Sequence, residues 1–432
     1  MSQFIPHPLP WNPAQKLVFR FFFAYFLLYV FPFPLSNVPG SYFLTSSYND
    51  VWHTLVPWVG RTILHLPNEI TVFPNGSGDT TFNYVQLFCL VVLAFAATLV
   101  WSVLDRNRPN YHTLLYGLLV LLRYYLAITM FTYGFAKVFK TQFPFPGITR
   151  LMEPYGYSSP MGLAWTFMGY STVYNWFTGL GEVIGGALLL FRKTTALGAI
   201  ILVAVIGNIV AINFCFDVPV KLYSSNLLLM ALFILTTDGR RLMNVLWLNR
   251  PAPALDLTPF RTSRRWRIGR IIFKTLAISF VLYGQTYGGF ITAKQYGDHA
   301  PKHPLYGLYQ VETFARNGDT LAPMLTDTTR WRQVMVGGYK SYPTLTIRYM
   351  NDSLRNYAFE PDTAKLQAIL YARSDTAHKY RLTYQQPDTN SLILAGSNQI
   401  DSIYIRLKKQ DIRQFLLVNR GFHWINEYPM NR

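Results

Sequence analysis

Ionisable side chains stand inside stretches apolar enough to cross a bilayer. Leu114 to Phe139 reads LLYGLLVLLRYYLAITMFTYGFAKVF and holds Arg123 and Lys137; Val173 to Phe191 reads VYNWFTGLGEVIGGALLLF and holds Glu182 near its centre. A charge at that depth costs about 3 kcal/mol or more, so such residues face a partner or a polar cavity. A buried carboxylate can relay protons, and a cation beside it keeps it ionised. Two readings follow. Glu182 pairs with Arg123 or another polar neighbour beside a quinone-sized or substrate pocket, or the same charges lock the helices in register.

Spacing sharpens the geometry. Arg123 and Lys137 are fourteen residues apart, which puts them near one helical face, about 21 Å apart along the axis. They therefore sit at opposite membrane depths. Ala127 and Gly134 share that stripe, and Glu182 is flanked by Gly181 and Gly185-Gly186, so small-residue faces permit close helix approach. Lys137 and Lys140 have a second option, extending outward to the headgroups. Asn208, Asn213 and Asp217 end the next apolar run, ahead of Val-Pro-Val-Lys221. Asn213 and Asp217 share a face if the helix persists; Asp217 with Lys221 reads equally as an exposed pair. Glu182 and Arg123 are thus the catalytic candidates, and Lys137, Asn208, Asn213 and Asp217 the substrate-binding ones.

Metal and haem chemistry find little footing. His7, His53, His65, His112, His299, His303, His378 and His423 all lie outside the apolar spans, whereas a bis-histidine haem needs ligands within the bundle. They read as exposed loop residues, because a metal needs several convergent donors. Cys89 and Cys215 fall within spans and form no CxxC pair, so they read as small packing residues. No nucleophile elbow, Walker loop or dinucleotide fingerprint stands in a suitable context.

The elements that must position these groups are membrane helices. Of 432 residues, 51% are hydrophobic, 16% aromatic and only 14% charged, a balance suited to lipid exposure. The net charge of +18 does not imply nucleic acid, because the arginines cluster in connections. Arg106 and Arg108 occupy one, Arg192 and Lys193 another, and Arg240, Arg241, Arg250, Arg261, Arg264, Arg265, Arg267 and Arg270 a third. Alternating the spans puts all three on one side, as expected of cytoplasmic loops. Seven spans are expected, at about 17–35, 83–104, 114–138, 173–191, 195–215, 220–236 and 269–287. The first is longer and more aromatic than a signal peptide and lacks a small-residue cleavage site. The amino terminus is then cytoplasmic and loop 36–82 extracytoplasmic. SPMGLAWTFMGYST (159–172) is too short to cross and lies at the interface or extends the fourth span.

Beyond Phe290 the pattern changes to short alternating segments bounded by Asn, Asp, Gly and Pro. About eight strands are expected: 306–314, 331–336, 344–350, 354–359, 366–372, 379–385, 391–396 and 402–408. An antiparallel meander that closes into a barrel removes their edges. Seven spans place this domain outside the cytoplasm. The tail GFHWINEYP (421–429) reads as a cap whose aromatics pack against it. The domains are then 1–113 (first spans and outer loop), 114–237 (a four-helix unit), 238–290 (basic loop and last span) and 291–432 (the β-rich domain).

RYYLAITMFTYGFAKVF (123–139) has the arginine, glycine and lysine layout of the first helix of the DoxX family. GLGEVIGGALLLFRKTTALGAIILVAVI (179–206) is similar to that family's second and third helices. The resemblance covers about 120–237. GSGDTTFNYVQ, SSPMGLAWTFMGYS, FDVPVKLYSSN and GFHWINEYPMNR resemble a larger, DoxX-like form of bacterial membrane protein. The resemblance implies a multi-pass plasma-membrane protein. Some relatives form part of a thiosulfate:quinone oxidoreductase, and others are linked to membrane redox or oxidative-stress complexes. The function expected is an accessory subunit of a quinone-linked or other redox system, with quinone or a redox subunit as partner. The alternatives are a binding or transport protein whose outer β-domain captures a small ligand, and an envelope scaffold.

Overall fold

The computed structural model describes residues 10–38, 40–72, 75–252 and 263–431; His7 and Arg261 lie outside them. The described residues form two compact units. One draws on 1–138 and 176–286, the other on 139–175 and 287–432.

The first unit is helical: α1 (Pro13–Val30), α2 (Tyr42–Thr62), α3 (Thr81–Leu104), α4 (His112–Val138), α7 (Thr172–Leu189), α8 (Thr195–Cys215), α9 (Lys221–Thr237), α10 (Gly239–Leu246) and α11 (Arg264–Gln295). Between α4 and α7 lie α5 (Ile148–Leu151) and α6 (Pro160–Tyr170), which belong to the second unit. Each expected span is a helix. Among the described residues, α3, α4, α11 and the stretch Arg192–Cys215 are long and apolar enough to cross a membrane, and α9 with α10 qualifies as a pair bent by 73°. α1 and α7 fall short because polar residues such as Lys16 and Arg20, or Asn175 and Glu182, dilute them.

Apolar residues remain exposed along α3 (Val92, Phe95, Val100, Val103) and α11 (Ile272, Phe273, Leu276, Phe280). Such faces match a lipid environment, since patches this large are rare on soluble monomers. α4 packs against α1 and α9 and carries the buried Leu118, Leu122, Leu126, Ala127 and Met130. Asn12 and Thr80 start α1 and α3 with capping boxes, satisfying amides that would otherwise be orphaned. The helix α2 was not foreseen in loop 36–82. Its polar NDVWHT run masks an apolar stripe of Trp52, Val56 and Val59. The stretch 159–172 is a separate short helix, broken from α7 at the extended Ser171.

The second unit is a closed antiparallel meander. Its strands are β1 (Gly307–Arg316), β2 (Asp319–Thr320), β3 (Trp331–Tyr339), β4 (Tyr342–Tyr349), β5 (Leu354–Asp362), β6 (Gln367–Ala372), β7 (Tyr380–Asp388), β8 (Ser391–Ser397) and β9 (Ser402–Gln410). Pairing of β1 with β9 closes eight strands into a barrel, and β2 adds only a two-residue hairpin arm. In β9 the inward Ile403, Ile405 and Leu407 alternate with exposed neighbours, the period-2 signature of a half-buried strand. The interior is filled by Tyr309, Phe314, Val334, Ile347, Leu370 and Leu394 among others, as expected of eight strands. β3 is buried on both faces because Ile148 of α5 covers Leu308 and Met335 from outside.

Three expectations need correction here. The tail aromatics do not bury against the domain: Trp424 is 91% exposed, touching Phe422 edge to face, and Phe422 and Tyr428 are open as well. Cys215 is exposed at the last residue of α8, whereas Cys89 is buried in α3. His303 is a buried residue, and its Nδ1 accepts from the Leu305 amide at 3.2 Å.

Burial, helped by the Lys340 ammonium, holds the His303 imidazole below its ordinary pKa. The unfolded chain therefore binds the proton more readily than the folded one. This contribution to stability is complete above about pH 6.5 and is lost as pH falls from there through the lowered folded value. Thermal unfolding of the full chain across that range should show a slope that His303→Gln flattens. Superimposable wild-type and variant slopes would refute it.

Candidate functional site

The helices α4 and α7 run antiparallel at glycine-limited distance. Arg123 lies against Leu189, Ala127 against Gly186, and Gly134 against Gly179. A methyl group on Gly134 would stand 2.8 Å from the Gly179 carbonyl oxygen, and one on Gly179 would stand 2.7 Å from that of Gly134. Only hydrogen fits at this crossing. The far side of α7 repeats the device toward α8, where Gly185 meets Leu202 and Gly198 meets the Gly185 carbonyl. The stripes expected from Ala127, Gly134 and Gly181 to Gly186 are the packing faces.

Helix side chains lean toward the amino-terminal end of their own helix. Lys137 accordingly reaches back along α4 to Glu182, and its Nζ donates to Oε1 at 2.8 Å and Oε2 at 2.7 Å. The side chains are 7% and 1% exposed, so two opposite charges cancel out of reach of water. The partner of Glu182 is Lys137, not Arg123. Arg123 Nε instead donates to Leu189 O at 2.7 Å, among the last carbonyls of α7, where cations suit the negative helix end. Nor does Lys137 extend outward. Lys140 is also buried, paired with Asp298 at 2.6 Å within the second unit.

The remaining candidates scatter. Asn208 is exposed on α8. Asn213 is buried and donates through Nδ2 to Ser224 Oγ at 3.0 Å. Asp217 lies beyond the end of α8 at φ 51°, so the helix does not persist and the two share no face. Asp217 is 84% exposed and pairs with Lys221 at 2.8 Å.

Other polar residues escaped sequence reasoning. Asp79 accepts from the Lys221 and Leu222 amides at 2.8 and 3.0 Å, capping α9 from a distant loop. Buried Arg20 donates to Tyr111 Oη, Ser102 Oγ and the Asp105 carbonyl; its signal was an arginine inside the first apolar run. A group of tyrosines lies beside the ion pair. Lys137 Nζ sits 5.9 Å from the Tyr133 ring centroid, and Tyr133 is 6.3 Å from Tyr223. Tyr223, Tyr125 and Tyr29 pack against the same helical core. Tyr29 is 5.9 Å from Tyr25, whose hydroxyl donates to Asn226 Oδ1. Among the described residues, no three His, Cys, Asp or Glu side chains gather as a metal site.

Removing one member of a buried pair strands the other charge, at a cost of about 3–5 kcal/mol. Lys137→Met or Glu182→Leu alone should destabilise the purified protein by that order, and the double substitution should recover most of the loss. Denaturation in detergent measures this. A double variant as weak as the sum of the singles would contradict a mutually neutralising pair.

The match to known proteins falls on these helices. A family model described as DoxX matches residues 118–215. An uncharacterized protein of Bacillus subtilis (strain 168), YwoB, is 43% identical over 123 residues, which are 28% of this chain and 78% of that relative. No solved structure matches. The chain is a membrane protein of the DoxX family.

Proposed function

We propose that this protein is an accessory subunit of a quinone-linked or other membrane redox system, supplying a proton-conducting polar interior. The observation that carries the reading is the buried Lys137–Glu182 pair with tyrosines beside it: Tyr133 next to Lys137 and Tyr223, and Tyr29 next to Tyr25 in the helical core. Reduction of a quinone consumes protons, and hydroxyls with a carboxylate terminus pass them along by hydrogen-bond exchange. Glu182 holds and releases the proton, Lys137 balances its charge, and the tyrosine hydroxyls carry it through the bundle. Electron transfer belongs to the partner subunit.

The orientation proposed is multi-pass in the plasma membrane, with the amino terminus cytoplasmic and the β-barrel extracytoplasmic. Support comes from the basic connections. Arg106 and Arg108 join α3 to α4, Arg192 and Lys193 join α7 to α8, and after α9 Arg240 and Arg241 lie on α10 while Arg264, Arg265, Arg267 and Arg270 begin α11. These are alternate connections of an up-and-down bundle, as the loop-charge bias requires of one face. Capture of a ligand inside the barrel draws no support, because the interior is filled with side chains. An envelope scaffold is favoured by one fact, the direct pairing of Lys137 with both oxygens of Glu182.

Quinone reduction in membranes carrying the full chain discriminates these, with a short-chain quinone analogue as acceptor. Glu182→Gln and Tyr223→Phe should each lower the rate, Glu182→Gln by about a hundredfold, with quinone still bound. A purified protein that binds no quinone, together with redox activity unchanged in Glu182→Gln, would leave the scaffold.

A further inference from the structure

The helical unit also contains a cleft of about 940 Å³ along α4 and α11 that the ion pair does not use. One end holds Arg123, Arg192, Arg270 and Lys274, and no Asp or Glu is among the described lining residues. Arg123 and Lys274 meet there, because each is bonded to one of two successive carbonyls. The carbonyls at the end of α7 and just past it offset part of their repulsion. Leu189 O accepts from Arg123 Nε at 2.7 Å and Leu190 O from Lys274 Nζ at 2.5 Å. Carbonyl dipoles do not cancel whole charges, and a guanidinium keeps further donors after one bond. Like charges at low dielectric call for an anion.

Past the cations the cleft becomes apolar, walled by Ile128, Ala277 and Phe280, until Gln285 Nε2 donates to Thr132 Oγ1 at 3.0 Å. Arg123 to Thr132 spans about 14 Å of helix, and Arg270 to Gln285 about 22 Å. The hydrocarbon of one leaflet is about 15 Å deep. The cleft is therefore charged for one headgroup and greasy for one leaflet.

A second feature sets the headgroup level at the same end. The chain bends by 73° from α9 into α10, exposing Leu246 and Trp247 next to Arg240 and Arg241. A short basic helix bent away from α9 and followed by an exposed tryptophan suits the plane of the headgroups. Arg264, Arg265 and Arg267 begin α11, just before the cleft cations Arg270 and Lys274.

We propose that this cleft seats one anionic phospholipid of the cytoplasmic leaflet. Its phosphate meets Arg123, Arg192, Arg270 and Lys274, and an acyl chain lies along Ala277 and Phe280. A neutral lipophile would offer these donors no anion, and a free phosphate would leave the apolar length empty. Basic pockets between membrane helices recognise anionic lipid heads by this combination.

The test uses the full chain in mild detergent, with native mass spectrometry and thermal unfolding as readouts. The probes are phosphatidylglycerol, phosphatidylcholine with the same acyl chains, and glycerol phosphate. Wild type should retain one phosphatidylglycerol and be stabilised by it alone. Arg270→Gln/Lys274→Gln should weaken that binding at least about tenfold, the loss expected for two headgroup contacts. Ala277→Trp should weaken it with every charge in place. All three positions lie on accessible parts of α11, so the bundle should still fold. Equal retention of phosphatidylcholine would overturn the proposal, as would equal stabilisation by glycerol phosphate. Wild-type affinity in either variant would do the same.

Discussion

An unpaired charge cannot rest in hydrocarbon, and the helical unit is arranged around that constraint. Lys137 and Glu182 solve it by cancelling each other through two short hydrogen bonds. The solution works only if α4 and α7 nearly touch, which Gly134 and Gly179 make possible. The glycines are thus as much part of the ion pair as the charged atoms. They carry no chemistry, yet a single methyl group there would hold the helices apart.

The other embedded cations are handled differently. Arg20 is satisfied by hydroxyls and a carbonyl, Arg123 by the Leu189 carbonyl that ends α7, and Lys274 by the Leu190 carbonyl just past it. A helix end offers oxygen atoms that its own ladder cannot satisfy, and a cation supplies their missing donors. Neutral partners leave a net positive charge behind. This separates the cleft end of the unit, which stays electropositive, from the Lys137–Glu182 level, which is balanced.

Much of this could be read from the chain. Apolar runs located all seven expected helices, and strand alternation with turn residues located the eight barrel strands, because each signal comes from one element's own burial. The stripes Ala127–Gly134 and Gly181–Gly186 marked the packing faces for the same reason. What was hidden depends on pairings between elements. Nothing local tells Glu182 to choose Lys137 over Arg123; the register of α4 against α7 decides it. Asp79 capping α9, Tyr25 bonded to Asn226, and Ile148 covering the barrel wall are likewise long-range facts. Helix α2 was missed because its apolar stripe is narrow and interrupted by polar residues. The aromatic tail looked like packing material, since residue type alone does not reveal that Trp424 stays exposed.

The central claim is that Glu182 carries a full negative charge inside the bundle, balanced by the Lys137 ammonium. Difference infrared spectroscopy between wild type and Glu182→Gln, with glutamate isotope-labelled, reads that charge directly. The account predicts loss of a carboxylate stretching band in the variant at neutral pH. Loss of a protonated carboxylic acid band instead would mean that the pair is neutral and that the bundle is not built around opposed charges.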